Sequence, residues 1–329
     1  MGKYVLKRLL MIIPVLIGVV VIIFTINYFS TVSPAVILCG ANATAEDIAA
    51  KEAELGIDRP YFVQLANYFW NILRYGTLGT SYIYKQPVLD MIGLRLPITI
   101  RIGFFAALLS AVIGIPLGIL AAVKQNSVFD YISTILSIVL SAMPAFFLCL
   151  ILMLFFSVRL KWFPVQGVES WRGYILPIVA TGVMPIAMTT RMTRSSMLEV
   201  IRQDYVRTAR AKGVPERTII WKHTLKNALI PIITVVGMNL GLSMTGSVLC
   251  ETIFNIPGLG LLMNSSISMR DFVTTQGCVL VCAFIISFMN LLTDLCYAFV
   301  DPRIKAQYKT AKKPPRDGQE PKDGKEAAA

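Results

Sequence analysis

The sequence EVIRQDYVRTARAKGVPERTIIWKHTLKNALIP, residues 199–231, decides how the rest of the chain is interpreted. It lies between two long apolar runs, and residues 191–226 carry nine Lys/Arg against three Asp/Glu. Helix-forming residues extend to Lys212, Gly213 suits the left-handed conformation that ends a helix, and Pro215 suits the first turn of the next one. The pattern predicts a helix, a glycine turn and a second helix at the water edge of a membrane.

The composition predicts a protein that crosses the membrane several times. The chain has 329 residues, of which 55% are hydrophobic and 15% charged, and its mean hydropathy is +0.65. Folded in water, such a chain would have almost no polar coat. The net charge of +12 would suggest nucleic-acid binding in a soluble protein. Here the Lys and Arg residues lie in loops beside apolar runs, where they set orientation and contact lipid headgroups, so no nucleic-acid partner is expected.

Six apolar runs have the length of membrane helices. They cover approximately residues 9–29, 98–123, 132–158, 174–190, 229–249 and 276–300. Lys3, Lys7 and Arg8 precede the first run and place the N-terminus in the cytoplasm, and six crossings return the C-terminus to the same side. The first run is too long for a signal-peptide core, so we expect a retained helix. The predicted fold class is an all-α membrane protein with about six transmembrane helices.

The runs divide the chain into four parts. Residues 1–30 form the cytoplasmic end and the first membrane helix, and residues 31–97 form an extracytoplasmic segment with helices predicted at 45–56 and 61–75. Residues 98–300 form a five-helix core that contains a cytoplasmic loop at 191–228. Residues 301–329 are rich in Lys, Pro, Asp and Glu and predict a disordered cytoplasmic tail.

The central loop is similar to that of the membrane subunits of ATP-binding cassette importers. Aligned on Gly213, Arg207-Thr208-Ala209 stands where that family has Glu-Ala-Ala, and His223-Thr224-Leu225-Lys226 stands where it has Ile-x-Leu-Pro. The sequence DYVRTARAKG followed by HTLKNALIP resembles the peptide/nickel branch of this family. Further matching segments are LGIDRP (55–60), GTSY (79–82), ETIFNIPGLG (251–260), RD (270–271) and DPR (301–303), so the resemblance covers residues 1 to about 305.

The resemblance implies a type I importer transmembrane domain in the inner membrane of a bacterium. Its partners would be a second homologous permease, two ATPase subunits, an extracytoplasmic substrate-binding protein and membrane lipid. The sequence has no G-x-x-x-x-G-K-[ST] motif, so ATP and Mg²⁺ would be bound by the partner subunits, and this chain would be neither an enzyme nor a holder of cofactors or metals. The implied substrate is a di- or oligopeptide, with nickel, a metal chelate or glutathione as alternatives within the branch.

A basic amphipathic loop of this kind either rests on anionic lipid or docks into a partner. The Gly/Pro placement and the resemblance favour docking to an ATPase subunit, with the apolar side of residues 214–226 supplying contact area. The residues of this hypothesis are Arg207, Thr208, Ala209, Arg210, Gly213, Pro215, Arg217, His223 and Leu225. Its arginines would pair with acids on the partner or along the loop.

A second candidate site is the outer turn, residues 251–260. Its residues are Glu251, Phe254, Pro257, Gly258 and Gly260. One hypothesis is that the turn contacts the binding protein or closes the translocation cavity from outside. The alternative is a tight Pro-Gly turn that folding itself requires.

Two further classes of protein are weighed against the importer. A self-contained secondary transporter predicts charged groups at membrane depth or an internal repeat, and a membrane enzyme predicts a polar catalytic set there. Asp294 is the one acid well inside a predicted span, and we expect it to be a structural partner of the backbone or of a neighbouring helix. Cys278 and Cys282 share a helix face, and we expect small buried hydrophobes rather than a metal pair.

Overall fold

The structure is a computed structural model that describes residues 2–30, 33–40 and 42–300. Its helices are α1 (Gly2–Tyr28), α2 (Pro34–Cys39), α3 (Ala45–Leu55), α4 (Tyr61–Tyr75), α5 (Val88–Val123), α6 (Val128–Ala142), α7 (Ala145–Leu152), α8 (Trp171–Ile201), α9 (Asp204–Ala211), α10 (Glu216–Thr218), α11 (Leu225–Met244), α12 (Val248–Ile253), α13 (Leu259–Ser268) and α14 (Phe272–Val300). Met153–Arg159 continues α7, and Ile219–Thr224 joins α10 to α11, both as π-helix. The predicted tail, 301–329, lies outside the described residues.

Five helical stretches are long and apolar enough to cross a membrane. They are Arg8–Tyr28, Val88–Val123, Trp171–Ile201, Glu216–Met244 and Phe272–Cys296. The pair Val128–Ala142 and Ala145–Arg159 makes a sixth if it is counted as one broken span. The described residues contain no β-strand, only an isolated bridge between Thr80 and Pro87. The prediction of an all-α membrane fold with about six spans is confirmed.

The third predicted span, 132–158, is not a single straight helix. Its two halves meet at a bend of 102° around Met143 and Pro144. Met143 has φ −70° and ψ 129°, the extended conformation that is favoured for a residue before proline. Other prolines, at positions 14, 97, 116, 177, 185 and 231, lie inside continuous helices. Membrane helices tolerate them because neighbouring groups re-satisfy the freed backbone carbonyl.

Two predicted helix boundaries are wrong. The second membrane helix does not begin near Pro97, because α5 already begins at Val88, after the N-cap residue Pro87. The fourth does not end near Thr190, because α8 continues to Ile201 and carries the first part of the predicted 191–228 loop as helix. In the extracytoplasmic segment the predicted helices are confirmed as α3 and α4, each closed by a left-handed glycine.

Small residues bring the membrane helices close together. A Cβ atom on Gly118 of α5 would lie 2.5 Å from the Thr193 Cβ of α8, and one on Gly237 of α11 would lie 2.1 Å from the Thr293 Oγ1 of α14. Glycine and other small residues are what allows membrane helices to approach each other this closely. Gly103 of α5 approaches the backbone of Ser243 of α11 as closely, and α5, α8 and α11, which all pack against one another, form the centre of the bundle.

Two buried clusters fix the two candidate sites. At the end of the bundle that contains Gly213, here the loop end, the cluster is Ile119, Ala122, Met197, Ala228 and Ile232. Nearer the opposite end, the turn end, the cluster is Ile102, Cys149, Leu176, Ala180, Cys250, Phe254 and Ile256. Each candidate site is therefore anchored to the membrane helices by apolar packing.

Candidate functional site

At the loop end, Gly213 reverses the chain after α9. It has φ +76°, its N–H donates to the carbonyl of Arg210 at 2.9 Å, and the N–H of Val214 donates to the carbonyl of Ala209 at 3.2 Å. A residue with a side chain is strained in this left-handed conformation, whereas glycine adopts it freely. The predicted helix end and turn are confirmed.

An ion pair closes this turn. The Arg210 guanidinium donates to the Glu216 carboxylate through two nitrogens, with Nη2–Oε1 at 2.7 Å and Nε–Oε2 at 3.1 Å. The same hydrogen bonding raises the pKa of Arg210. A partly exposed pair contributes at most about 1 kcal/mol to stability, but its two-point geometry fixes the angle between α9 and α10. Arg210 therefore pairs with an acid of the loop itself, which is one of the two kinds of partner predicted for the loop arginines.

The segment after the turn is not a separate docking helix. Pro215 precedes α10, and the π-helical stretch Ile219–Thr224 runs directly into the membrane helix α11. Ile219 is fully buried, and Leu225 packs against the loop-end cluster. Ile219 and Leu225, two residues of the apolar side, therefore pack in the chain's own core, and docking of this segment to an ATPase subunit stays a prediction.

The surface that projects from the loop end is α9. Val206 is fully buried and anchors the helix, and the amide of Asn227 donates to the Tyr205 hydroxyl at 2.8 Å. The other side of α9 is exposed and polar, and Arg207 lies 4.0 Å from Asp204 on it. Of the remaining predicted residues, Thr208, Pro215 and Arg217 are exposed, and Ala209, His223 and Leu225 are half-buried.

Sequence reasoning missed an ion pair that supports this end of the bundle. Asp130, in the first turn of α6, is buried and accepts from Arg194 Nη2 of α8 at 2.8 Å. The N–H of Asn126 donates to the same carboxylate at 3.0 Å. The pair ties the 124–130 loop to the helix that leads into α9. No local pattern joins two residues so far apart in the sequence.

At the turn end, a buried carboxylate organises the 251–260 segment. Glu251 is 2% exposed, and its Oε1 accepts from the Thr99 hydroxyl at 2.8 Å. Its Oε2 accepts from the N–H of Leu261 at 2.9 Å. Burial raises the pKa of Glu251, and the hydrogen bonds from Thr99 and from the amides of Leu261 and Gly260 act in the opposite direction. Glu251 therefore holds the turn from within.

The glycines of the turn are required by this carboxylate. A Cβ on Gly258 would lie 2.5 Å from the Glu251 carboxyl carbon, and one on Gly260 would lie 3.0 Å from Oε2. Gly246, just after α11, has φ +89°, and a Cβ there would lie 2.8 Å from Glu251 Oε1. The Glu251 carboxylate thus occupies the space that side chains at these three glycine positions would need.

The aromatic residue of the turn faces inward. Phe254 is 2% exposed and packs in the turn-end cluster, and its carbonyl accepts from the N–H of Gly167 at 3.0 Å. Asn255 and Pro257 are exposed at the tip. The burial of Phe254 favours the folding role for this side chain. Contact of the exposed tip with a binding protein stays a prediction.

A second buried carboxylate joins the extracytoplasmic segment to the core. Asp271 accepts from the Ser81 hydroxyl, from the N–H of Tyr82 at 3.2 Å and from the Thr274 hydroxyl at 2.7 Å. Burial and the charge of Asp271 raise the pKa of the Tyr82 phenol to about 12. The GTSY and RD segments, separated by about 190 residues, thus form one contact.

The surroundings of Asp294, Cys278 and Cys282 are typical of residues with a structural role. Asp294 pairs with Arg8 of α1 at 3.0 Å, which confirms its expected role as partner to a neighbouring helix. Cys278 is fully buried among apolar side chains, and Cys282 Sγ lies 3.7 Å from the carbonyl of Thr245. In the part of the chain that the structure describes, no group of three or more His, Cys, Asp or Glu side chains could hold a metal ion.

Between the two ends, an apolar cavity of about 410 Å³ lies among α7, α8, α11 and α12. Flexible thioethers from Met184, Met188 and Met238 line it, with the polar groups of Thr181 and Asn239 among them. Methionine surfaces adapt to ligands of different shape. The cavity is therefore suited to a variable, mainly apolar ligand surface.

The fold and these sites define a multi-pass helical membrane protein with a projecting polar helix at one end and a sealed turn at the other. The family of binding-protein-dependent transport system inner membrane components matches residues 114–306, and the N-terminal part of that component matches residues 1–103. The chain belongs to this family. It is an importer permease of the dipeptide/oligopeptide branch, located in the bacterial inner membrane.

Two relatives extend over almost the whole chain. The dipeptide transport system permease protein DppB of Alkalihalophilus pseudofirmus is 40% identical, over 93% of this chain and 100% of its own length. The glutathione transport system permease protein GsiC of Salmonella choleraesuis is 39% identical, over 93% of this chain and 99% of its own. A solved structure of the MetNI methionine ABC transporter, in inward-facing conformations, shares the fold with a TM-score of 0.54 and 19% identity, over 65% of this chain and 97% of that one.

Proposed function

We propose that this chain forms, together with a second related permease, the translocation path for di- or oligopeptides. Two separate ATPase subunits supply the energy and bind ATP and Mg²⁺, and an extracytoplasmic protein delivers the substrate. The full-length similarity to a dipeptide permease and to a glutathione permease supports the peptide class, since glutathione is itself a tripeptide. Nickel or a metal chelate is the alternative cargo.

The observation that carries the proposal is the position of α9. It projects from the bundle, yet the buried Val206 anchors it, the Tyr205–Asn227 hydrogen bond joins it to α11, and the Arg210–Glu216 pair joins it to α10. A push on α9 is therefore transmitted to a membrane helix rather than absorbed by a flexible loop. Coupling of this kind needs an element with two arrangements that ATP binding can bias.

In this proposal the methionine-lined cavity is the chain's contribution to the path. Its apolar, adaptable walls accept different peptide side chains, and the few polar groups, such as Thr181 and Asn239, contact the peptide backbone. The exposed tip at Asn255 and Pro257 faces the binding protein on the outer side.

The test is to isolate the chain from native membranes and reconstitute its complex in liposomes. We expect a second permease and ATPase subunits to be isolated with it, and ATP-dependent uptake of a dipeptide and of glutathione from the binding-protein side. Nickel uptake is measured in parallel as the alternative cargo. Met238→Glu, which places a charge in the cavity, should abolish uptake while the subunits stay together, whereas Met269→Glu, at an exposed position outside the cavity, should not.

Two outcomes would contradict the proposal. Uptake by the isolated chain without ATP would make it a secondary transporter. Uptake of nickel without any uptake of peptide would leave the coupling intact and overturn the peptide assignment.

A further inference from the structure

A polar chamber of about 440 Å³ lies at the turn end, between α1, α14 and the extracytoplasmic helices. Among the residues that line it are Asn27 of α1, Glu52 of α3, and Phe272 and Gln276 of α14. The chamber is separate from the methionine-lined cavity and from the 251–260 turn. None of the contacts described above accounts for it.

Two amide groups in this chamber lack hydrogen-bond partners. Gln276 is 5% exposed, and its Nε2 is buried without a partner among the described residues. The Nδ2 of Asn27, on the facing helix, is buried and unpartnered in the same way. Buried polar groups are nearly always paired in folded proteins. Both residues line the chamber and each carries an unpaired N–H donor, which favours a ligand with acceptor oxygens at this place.

An apolar slot lies next to the chamber, on the side of the membrane centre. It has a volume of about 420 Å³ and runs between the same two helices, with α4 at its side. Val20 of α1 and Leu280 of α14 line the end of the slot nearest the chamber. Each lies one helical turn from a chamber residue, Phe24 and Gln276 respectively. Further along, Ile17 and Phe284 line the slot. The two cavities thus lie one helical turn apart along the same two helices, and the polar chamber and the apolar slot are together called the α1–α14 cleft here.

The dimensions of this cleft fit within one leaflet of a membrane. Seven helical residues separate Val20 from Ile13, the two ends of the slot on α1, which corresponds to about 10 Å along the helix. The hydrocarbon core of a bilayer is about 30 Å thick, so one leaflet takes about half of it. A ligand that fills the cleft therefore needs a polar head and an acyl chain.

Charges at the chamber select the headgroup. Glu52 lines the chamber and attracts a cation, and the guanidinium of Arg270 donates to Ser30 Oγ at 3.3 Å at its edge, where it attracts an anion. Phosphatidylethanolamine carries an ammonium group, a phosphate and ester oxygens in one molecule. We propose that the α1–α14 cleft is a binding site for this zwitterionic phospholipid, with the headgroup in the chamber and one acyl chain in the slot.

Native mass spectrometry of the complete transport complex tests the site, with dioleoyl phosphatidylethanolamine and dioleoyl phosphatidylglycerol as probes. The double variant Asn27→Leu/Gln276→Leu keeps the side-chain volume but removes both donors. We expect about a tenfold or greater loss of affinity for phosphatidylethanolamine, in line with two lost hydrogen bonds. The control Asn264→Leu, at an exposed amide of α13 outside the chamber, should bind like the wild type.

Two matched pairs of variants separate a built site from general lipid contact. Ile17→Trp fills the slot and should lower binding, whereas Ile22→Trp, on an exposed face of α1 outside the slot, should not. Glu52→Gln should remove the preference for phosphatidylethanolamine over phosphatidylglycerol. Glu46→Gln, in the exposed first turn of α3, should keep it.

The proposal fails if Ile17→Trp and Ile22→Trp change lipid binding equally, because the lipid is then only part of the general annulus. It also fails if the double amide variant binds phosphatidylethanolamine as tightly as the wild type. Soluble trialanine is the competing probe. If trialanine displaces the lipid and the amide variant loses trialanine binding, the chamber is a peptide site.

Discussion

The Thr99 hydroxyl lies between the Glu251 carboxylate and the backbone of the outer turn. It donates to Glu251 Oε1 at 2.8 Å and accepts from the N–H of Leu259 at 2.8 Å. Thr99→Val keeps the shape and removes both hydrogen bonds, which leaves a buried carboxylate oxygen and a buried N–H without this partner. We expect a loss of roughly 1–3 kcal/mol in stability, measured by denaturation of the purified chain in detergent.

The control for this variant is Thr252→Val. Thr252 lies on α12 next to Glu251 in sequence, but its side chain is exposed and its hydroxyl bonds only to the carbonyl of Val248. Its replacement should change stability by less than about 0.5 kcal/mol. Equal losses for the two variants would show that the Thr99 bridge does not hold the turn.

Phe254→Ala should prevent assembly rather than block transport in an assembled complex. The ring is buried in the turn-end cluster, so its removal leaves a cavity and costs about 3–5 kcal/mol. Size-exclusion chromatography of the complex and thermal unfolding measure the effect. Leu249→Ala, at a 51% exposed position on α12, is the control and should assemble normally. A fully assembled Phe254→Ala complex without uptake would restore the gate hypothesis.

Charge reversal tests the Arg210–Glu216 pair. Arg210→Glu and Glu216→Arg each place like charges across the Gly213 turn and should lower peptide uptake per ATP hydrolysed. The double exchange restores the pairing, and we expect it to recover most of the coupling, as in a double-mutant cycle. The same exchange between Asp204 and Arg207, which lie 4.0 Å apart, serves as control. Failure of the double exchange to recover would mean that the partner subunit, not the turn, uses these charges.

Gly213→Val tests the left-handed turn itself. A Cβ added at Gly213 meets no atom within 4 Å, so any effect comes from backbone strain and not from a clash. The strain amounts to about 1–2 kcal/mol, and we expect less ATPase subunit to be retained on the purified permease. Gly213→Asn is the matched control because asparagine tolerates this conformation better. Normal ATPase retention and uptake by Gly213→Val would exclude α9 as the coupling element.

Cysteine labelling tests the orientation of the chain in the membrane. In a Cys39→Ser background, Lys212→Cys should stay unlabelled by a membrane-impermeant reagent in intact cells, because the positive charges place this loop in the cytoplasm. Asn255→Cys, at the exposed tip of the outer turn, should be labelled. The opposite pattern would invert the topology.

Local patterns predict much of this fold. The helical spacing of 61–75 gives α4, and Gly213 ends α9, because both signals act over a few residues. The bend at Met143–Pro144 had a local signal as well, since proline disfavours helix in the residue before it. However, six other prolines of the described residues, Pro14 of α1 among them, lie inside continuous helices, so the signal alone does not separate a break from a tolerated proline.

Contacts between distant segments could not be predicted in this way. Ser81 meets Asp271, and Asp130 meets Arg194, only after the helices have packed. Residues 214–226 have an apolar and a polar side, as their sequence predicts. The sequence does not show which surface covers the apolar side. In the structure the chain's own loop-end cluster covers this apolar side. The exposed surface at this end of the bundle is therefore that of α9.

The ion pair between Arg8 and Asp294 can form only late in the synthesis of the chain. These residues are about 290 positions apart, and they join the first membrane helix to the last one. At roughly 5–20 residues per second, the ribosome needs about 15–60 s to deliver Asp294 after Arg8. During that interval α1 is already in the bilayer without its final neighbour. The helix is strongly apolar, and only 11% of the residues in its most apolar stretch are buried even in the finished fold, so lipid is a suitable surrounding during this interval.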